Sequence, residues 1–166
     1  MLVKDLMAGY NPDKTFNGGL TADDFVLAVD LTSTQDADYG DYAVAQTGVV
    51  GLDAQLNPVT DEKQYLRAGN SSQKTGSSRS FKITGDKFVG DLFQDYVLSH
   101  KIKFGTGASV VVKYIYFDVM TGTGEEGQVS VIVNSDGSGD AGSSASIDVD
   151  LTKYGAQSTE YEWTPA

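Results

Sequence analysis

The chain has 166 residues, with 12 Lys and Arg against 23 Asp and Glu, a net charge of −11, one His and no Cys. Without cysteine there are no disulfides, thiolate chemistry, iron–sulfur clusters or Cys-ligated zinc, and the lone His100 excludes sites built on two imidazoles. The acidity argues against a basic grip on duplex phosphates, and no apolar run is long enough for a membrane span or signal-peptide core. The expectation is one soluble acidic domain, made in the cytoplasm, with a sizeable core and no catalytic role.

Residues 1–20 lack periodicity and carry the turn signals NPDK and NGG, so they read as an arm. Residues 24–31 (DFVLAVDL) have the apolar density of a strand, and 33–41 (STQDADYGD) read as a loop. Residues 42–56 suggest a long strand or two short ones. Asn57-Pro58 marks a turn, and 62–67 (EKQYLR) suit a short strand. Residues 69–78 (GNSSQKTGSS) read as a flexible loop, and SFKIT at 80–84 alternates as a strand does.

One segment has helical periodicity. Phe88, Val89, Leu92, Phe93, Tyr96 and Val97 fall on a single apolar stripe, with Asp86 placed as N-cap and Gly105 beyond the basic run 101–103. The remainder is strand-rich: 109–120 (SVVVKYIYFDVM), 128–134 (QVSVIVN), 144–151 (SASIDVDL) and 154–163. In SASIDVDL, Ala145, Ile147, Val149 and Leu151 share one face, and Ser144, Ser146, Asp148 and Asp150 share the other. The order predicts a β-rich α+β domain, a sandwich or barrel with one packed helix.

Charge is uneven along the chain. Residues 1–78 are net −6, 79–113 net +3, and 114–166 net −8. The last third keeps enough apolar residues to be ordered, so its carboxylates belong on one face of strands.

Motifs for small ligands fail on context. Gly122, Gly124 and Gly127 spell GxGxxG, but a strand follows where a helix N-terminus is needed, and Glu125 and Glu126 would repel phosphate. Residues 134–140 resemble a calcium loop, yet the twelfth position is Ala145 instead of Glu, so a turn is the better reading. His100 has no nucleophile or acid partner and reads as a surface residue. The sequon at Asn70 has no secretory route to serve it. Asp148 and Asp150, about 7 Å apart on one strand face, are no glycosidase signature by that spacing alone.

The phrases SFKITGDKFVGDLFQDYVLSHKIKFGTG (80–107) and VVVKYIYFDVMTGTGEEGQVSVIVNSDGSGDAGSSASIDVDLTKYG (110–155) resemble the major tail (tail tube) proteins of long-tailed, non-contractile bacteriophages. AQTGVVGLDAQLNPVTDEKQYLR (45–67) looks like the long strand, turn and short strand of that family, so the likeness spans roughly residues 24–163. The resemblance implies a β-sandwich or barrel-like tail tube fold with one packed α-helix and an extended arm and loop. The domain division is then an N-terminal arm over 1–20 and a single tail tube domain over 21–166, with the flexible loop 69–78.

It further implies a structural virion protein, without cofactors or its own membrane insertion, assembled in the host cytoplasm and located in the virion tail. Hexameric rings would stack into a hollow tube around a tape measure protein, closed by tail terminator and tail tip proteins, through which DNA passes without specific binding. Carboxylates lining the bore would repel phosphates, and Asp148 and Asp150 are the expected lumen residues. Asn70, Ser71, Ser72, Gln73 and Lys74 are the expected inter-ring contacts. The +3 segment is expected to meet acidic surfaces of neighbouring subunits.

Two alternatives stand beside this reading. The inner tube of a contractile tail or injection system shares the architecture. A secreted β-sandwich binding module would need a signal sequence and an exposed aromatic platform.

Overall fold

The computed structural model describes residues 1–165, so Ala166, the last residue of the expected domain, lies outside it. Along the chain come α1 (Val3–Leu6), β1 (Phe25–Val29), β2 (Ala43–Val44), β3 (Val49–Gln55), β4 (Val59–Tyr65), β5 (Gly69–Gly76) and β6 (Ser80–Asp86). Then follow α2 (Leu92–Val97), α3 (His100–Phe104), β7 (Val111–Asp118), β8 (Thr123–Ser138), β9 (Ser146–Lys153) and β10 (Thr159–Glu162).

The main sheet runs β2-β1-β7-β8-β9-β6-β3, with every neighbouring pair antiparallel, and β10 adds to β8. The first and last strands of this order, β2 and β3, are consecutive in the chain and joined by residues 45–48. The sheet therefore curls so that its two ends approach, giving a half-barrel. The 16 residues of β8 make this possible. One edge pairs with β7, while the other takes β10 near its start and β9 towards its end.

Continuous apolar runs in β1 and β7 follow from burial on both faces. Leu27 and Val29 of β1, with Val112 and Tyr114 of β7, point into a core shared with Phe81, Val149 and Leu151. Val26, Ala28, Ile115 and Phe117 point the other way, onto Val3, Met7, Tyr42 and Tyr161. The first residues of the expected arm are thus held in place, Val3 being fully buried and Leu2 bridging to Ala43. Alternation in β9 buries Ile147, Val149 and Leu151 as the pattern predicts.

Two expectations are corrected. The helical stripe does not start near Phe88: Gly90 has φ +97°, a conformation that ends any helix running through it, and Asp91 caps α2 instead. Phe93 and Val97 are fully buried and Tyr96 is half-buried, whereas Phe88 (53% exposed), Val89 (86%) and Leu92 (44%) face solvent. The chain then breaks at Ser99 and resumes as α3, whose Ile102 continues the buried stripe.

The second correction concerns residues 69–78. They do not form a loop, because most of them make β5, paired with β4 from Tyr65 opposite Gly69 to Val59 opposite Gly76. A ladder needs only backbone N–H and C=O groups, so a Gly/Ser/Asn-rich stretch pairs once a tight turn brings it alongside. Arg67, at φ +65°, makes that turn. The hairpin leaves beyond Gln55 of β3 and returns at Ser80 of β6, where those two residues pair.

Candidate functional site

Two surfaces and a set of ion pairs carry the functional reading. On the outer face of the sheet, Asp148 and Asp150 of β9 stand opposite Thr84 and Lys82 of β6. Lys82 Nζ lies 3.1 Å from Asp148 and 3.6 Å from Asp150, and the Asn134 amide donates to Asp150 at 2.8 Å. Hydrogen bonding to Asp148 and the two negative charges raise the Lys82 ammonium above its usual pKa. Asp53 of β3, exposed, pairs with Lys82 from the other side. Asp53, Asp148, Asp150 and Lys82 thus form a cluster of three carboxylates and one ammonium, a net of −2. Lys82 is the member that strand alternation in β9 alone does not reveal.

The second surface is the β4–β5 hairpin. Every residue of β4 is exposed, and the expected contacts Asn70, Ser71, Ser72, Gln73 and Lys74 all lie exposed on β5. Their side chains alternate between the two faces of the ribbon: Asn70, Ser72 and Lys74 share one face with Gln64, Glu62 and Thr60. Its tip presents Leu66, 90% exposed, and Tyr65, 53% exposed. The ribbon buries almost none of its side chains within its own chain.

The ion pairs revise the reading of the +3 segment. Arg79 pairs with Glu125, Lys82 with Asp148 and Asp150, and Lys87 and Lys103 together clamp Asp136 at 2.7 and 2.9 Å. Four basic residues of the segment thus meet carboxylates of the same chain's last third, before any neighbour is considered. Hydrogen bonding from Lys87, with that from Lys103, holds the Asp136 carboxyl below its ordinary pKa. The Arg79 guanidinium also lies over the rings of Phe81 and Tyr116, 4.7 and 4.9 Å from their centres.

Residues of the rejected motifs have ordinary structural tasks. Gly124 sits in β8 where a Cβ would fall 2.0 Å from the Tyr116 carbonyl oxygen, so close strand approach explains the glycine. Asp136, in the calcium-like stretch, is taken by its two lysines. His100 opens α3 against Phe104. Among the described residues no cluster of three or more His, Asp or Glu could hold a metal ion, and no helix is long and apolar enough to cross a membrane.

Sequence reading missed Gln94. This side chain is 1% exposed, donates to the carbonyls of Thr47 (2.8 Å) and Asp86 (3.0 Å), and accepts from the Phe88 amide (2.8 Å). It pins the 45–48 connection and the loop before α2 to one helix. A single glutamine in an amphipathic segment gives no sign of this.

No family model matches the sequence, and no curated protein sequence matches it. Solved structures do match in fold. A chain from the tail of an empty gene transfer agent particle, obtained by helical refinement with C6 symmetry, superposes with TM-score 0.56 at 16% identity, covering 88% of this chain and 100% of the other. A chain from the virion of a native gene transfer agent particle gives 0.54 at 14%, covering 86% and 99%. A chain from the sheath–tube complex of an extracellular contractile injection system in its extended state gives 0.48 at 13%, covering 98% and 99%. The chain has the β-rich α+β fold of tail tube proteins.

Proposed function

We propose that this chain is the tail tube subunit of a long-tailed, non-contractile phage or phage-like particle. Six copies form a ring, and rings stack head to tail into a hollow conduit for DNA. The observation that carries the reading is the shared fold with a chain of a gene transfer agent tail that has C6 symmetry. Two features of this molecule suit the role. The curled sheet ends in open strand edges, which neighbouring copies would cover. The exposed β4–β5 hairpin reaches beyond the body of the domain, as an inter-ring contact requires. A contact between unlike surfaces closes into a ring where the rotation allows, as around the six copies, and otherwise repeats without end, as between stacked rings.

In this reading the acidic face bearing Asp148 and Asp150 lines the bore. Sixfold repetition turns each carboxylate into a ring of negative charge that keeps phosphates from adhering. The partners are further copies of the chain, a tape measure protein that sets the length, and terminator and tip proteins at the ends. The protein would be assembled in the host cytoplasm and reside in the virion tail. Its work is structural, with no substrate to turn over.

Negative-stain electron microscopy with light scattering over a concentration series tests this. Hollow tubes or six-fold rings are expected. A monomer at every concentration, in an otherwise folded sample, would overturn self-assembly.

A further inference from the structure

Where the two ends of the curled sheet approach, they leave an apolar slot of about 820 Å³. Its walls include Leu6, Met7, Phe25, Val26, Val49 and Leu52. Val50, expelled at a register shift in β3, stands at this slot 79% exposed. The flanking backbone is open too. β1 pairs with β2 only at Ala28 and Val29, and β3 pairs only with β6. One charged residue, Asp23, lines the slot, and it has no ion-pair partner among the described residues.

The hairpin tip has the complementary character. Leu66 and Tyr65 are exposed and apolar, and Arg67 beside them also lacks an ion-pair partner among the described residues. Own-chain contact is not made: the slot borders the Val49–Leu52 end of β3, whereas the hairpin departs beyond Gln55. From Val59 its seven-residue strand carries the tip about 23 Å further.

We propose, resting on the tail tube reading, that the slot receives the hairpin tip of a second copy of this chain. Tyr65 and Leu66 fill the apolar walls, and Arg67 pairs with Asp23. Free N–H and C=O groups of the slot edges meet the turn's backbone. Donor and acceptor surfaces differ, so each copy gives one tip and receives another, and the contact propagates along the tube.

The absence of cysteine makes a clean test possible. A double variant L66C/V50C, altered at two exposed positions, is assembled, oxidised and run on a non-reducing gel. A ladder of covalent multiples is expected from the double variant, and none from V50C alone. In parallel, R67D raises the concentration needed for tubes about tenfold, and the swap R67D/D23R returns it to near the wild-type value. Tubes that form without a ladder, and without rescue by the swap, overturn this contact and leave the tail tube reading standing. A ladder from V50C/V89C in place of L66C/V50C assigns the slot to the exposed loop before α2 and overturns it as well. Wild-type protein that forms neither rings nor tubes overturns both.

Discussion

At the residue scale, Gln94 ties two separate segments of the half-barrel to one helix. Its amide satisfies three backbone groups contributed by two separate segments, in a place where water does not reach. A Leu of similar size would fill the space but leave two carbonyls and one amide unpaired. The expected cost of Gln94→Leu is about 2–4 kcal/mol, against about 0.5 kcal/mol or less for Val89→Ala nearby, as urea unfolding of the isolated chain would measure. A loss as small for Gln94→Leu as for Val89→Ala would mean that the amide does not organise these loops. The contrast also marks what a sequence can disclose. Ile147, Val149 and Leu151 announce themselves by strict alternation, because a strand's period is a property of neighbours in the chain. Gln94 acts on Thr47 and Asp86, and the distance in sequence to Thr47 hides it.

At the element scale, alternation located β6 and β9 closely, since each buries one face, and continuous apolar runs located β1 and β7, which are buried on both. They failed where burial does not shape the element. The strand β5 has no buried side chains, so its composition reads as loop although all its residues but Thr75 are laddered to β4. The helical stripe reads one turn too long because exposed Phe88 and Val89 happen to fit its period, while Gly90 sets the actual boundary. The far end of β8 is a third case, anchored to the segment around the helices through Asp136 and its two lysines. That carboxyl titrates below its ordinary 3.8 in the folded chain, so the unfolded chain takes up a proton first as pH falls. The clamp's stabilisation is therefore complete above the unfolded value and disappears as pH drops through the folded one. Asp136→Asn is expected to cost about 1–2 kcal/mol at pH 7. The difference from wild type should shrink between pH 7 and an acid pH below the ordinary carboxyl value, as Asp136 itself takes up its proton. Equal differences at both pH values in denaturant titrations would show that charge pairing is not the source.

At the scale of the whole molecule, net charge has to be read as a distribution. Four of the six basic residues of the 79–113 segment are matched inside the chain by Glu125, Asp136, Asp148 and Asp150, so the segment does not stand as a free positive patch. On the outer face of β3, β6 and β9 the cluster of Asp53, Asp148 and Asp150 keeps an excess of two carboxylates even after Lys82 is counted, and in a six-membered ring that excess is repeated at one height. If this face lines the bore, it prevents DNA from binding to its own conduit. Asp148→Asn with Asp150→Asn would neutralise the cluster, and Asp148→Lys with Asp150→Lys would turn it from −2 to +2 per subunit. Both pairs lie on a solvated strand face whose buried alternates are untouched, so tubes should still form. Short duplex DNA should pass wild-type tubes freely, be retarded by the Asn tubes, and be held by the Lys tubes. That retention should be released between about 50 and 200 mM salt, the mark of counterion exchange at phosphates. In particles, DNA ejection should slow in the same order. Lys tubes that neither retain DNA at low salt nor delay ejection would place Asp148 and Asp150 outside the bore. The acidic face would then serve only the outer surface of the tail.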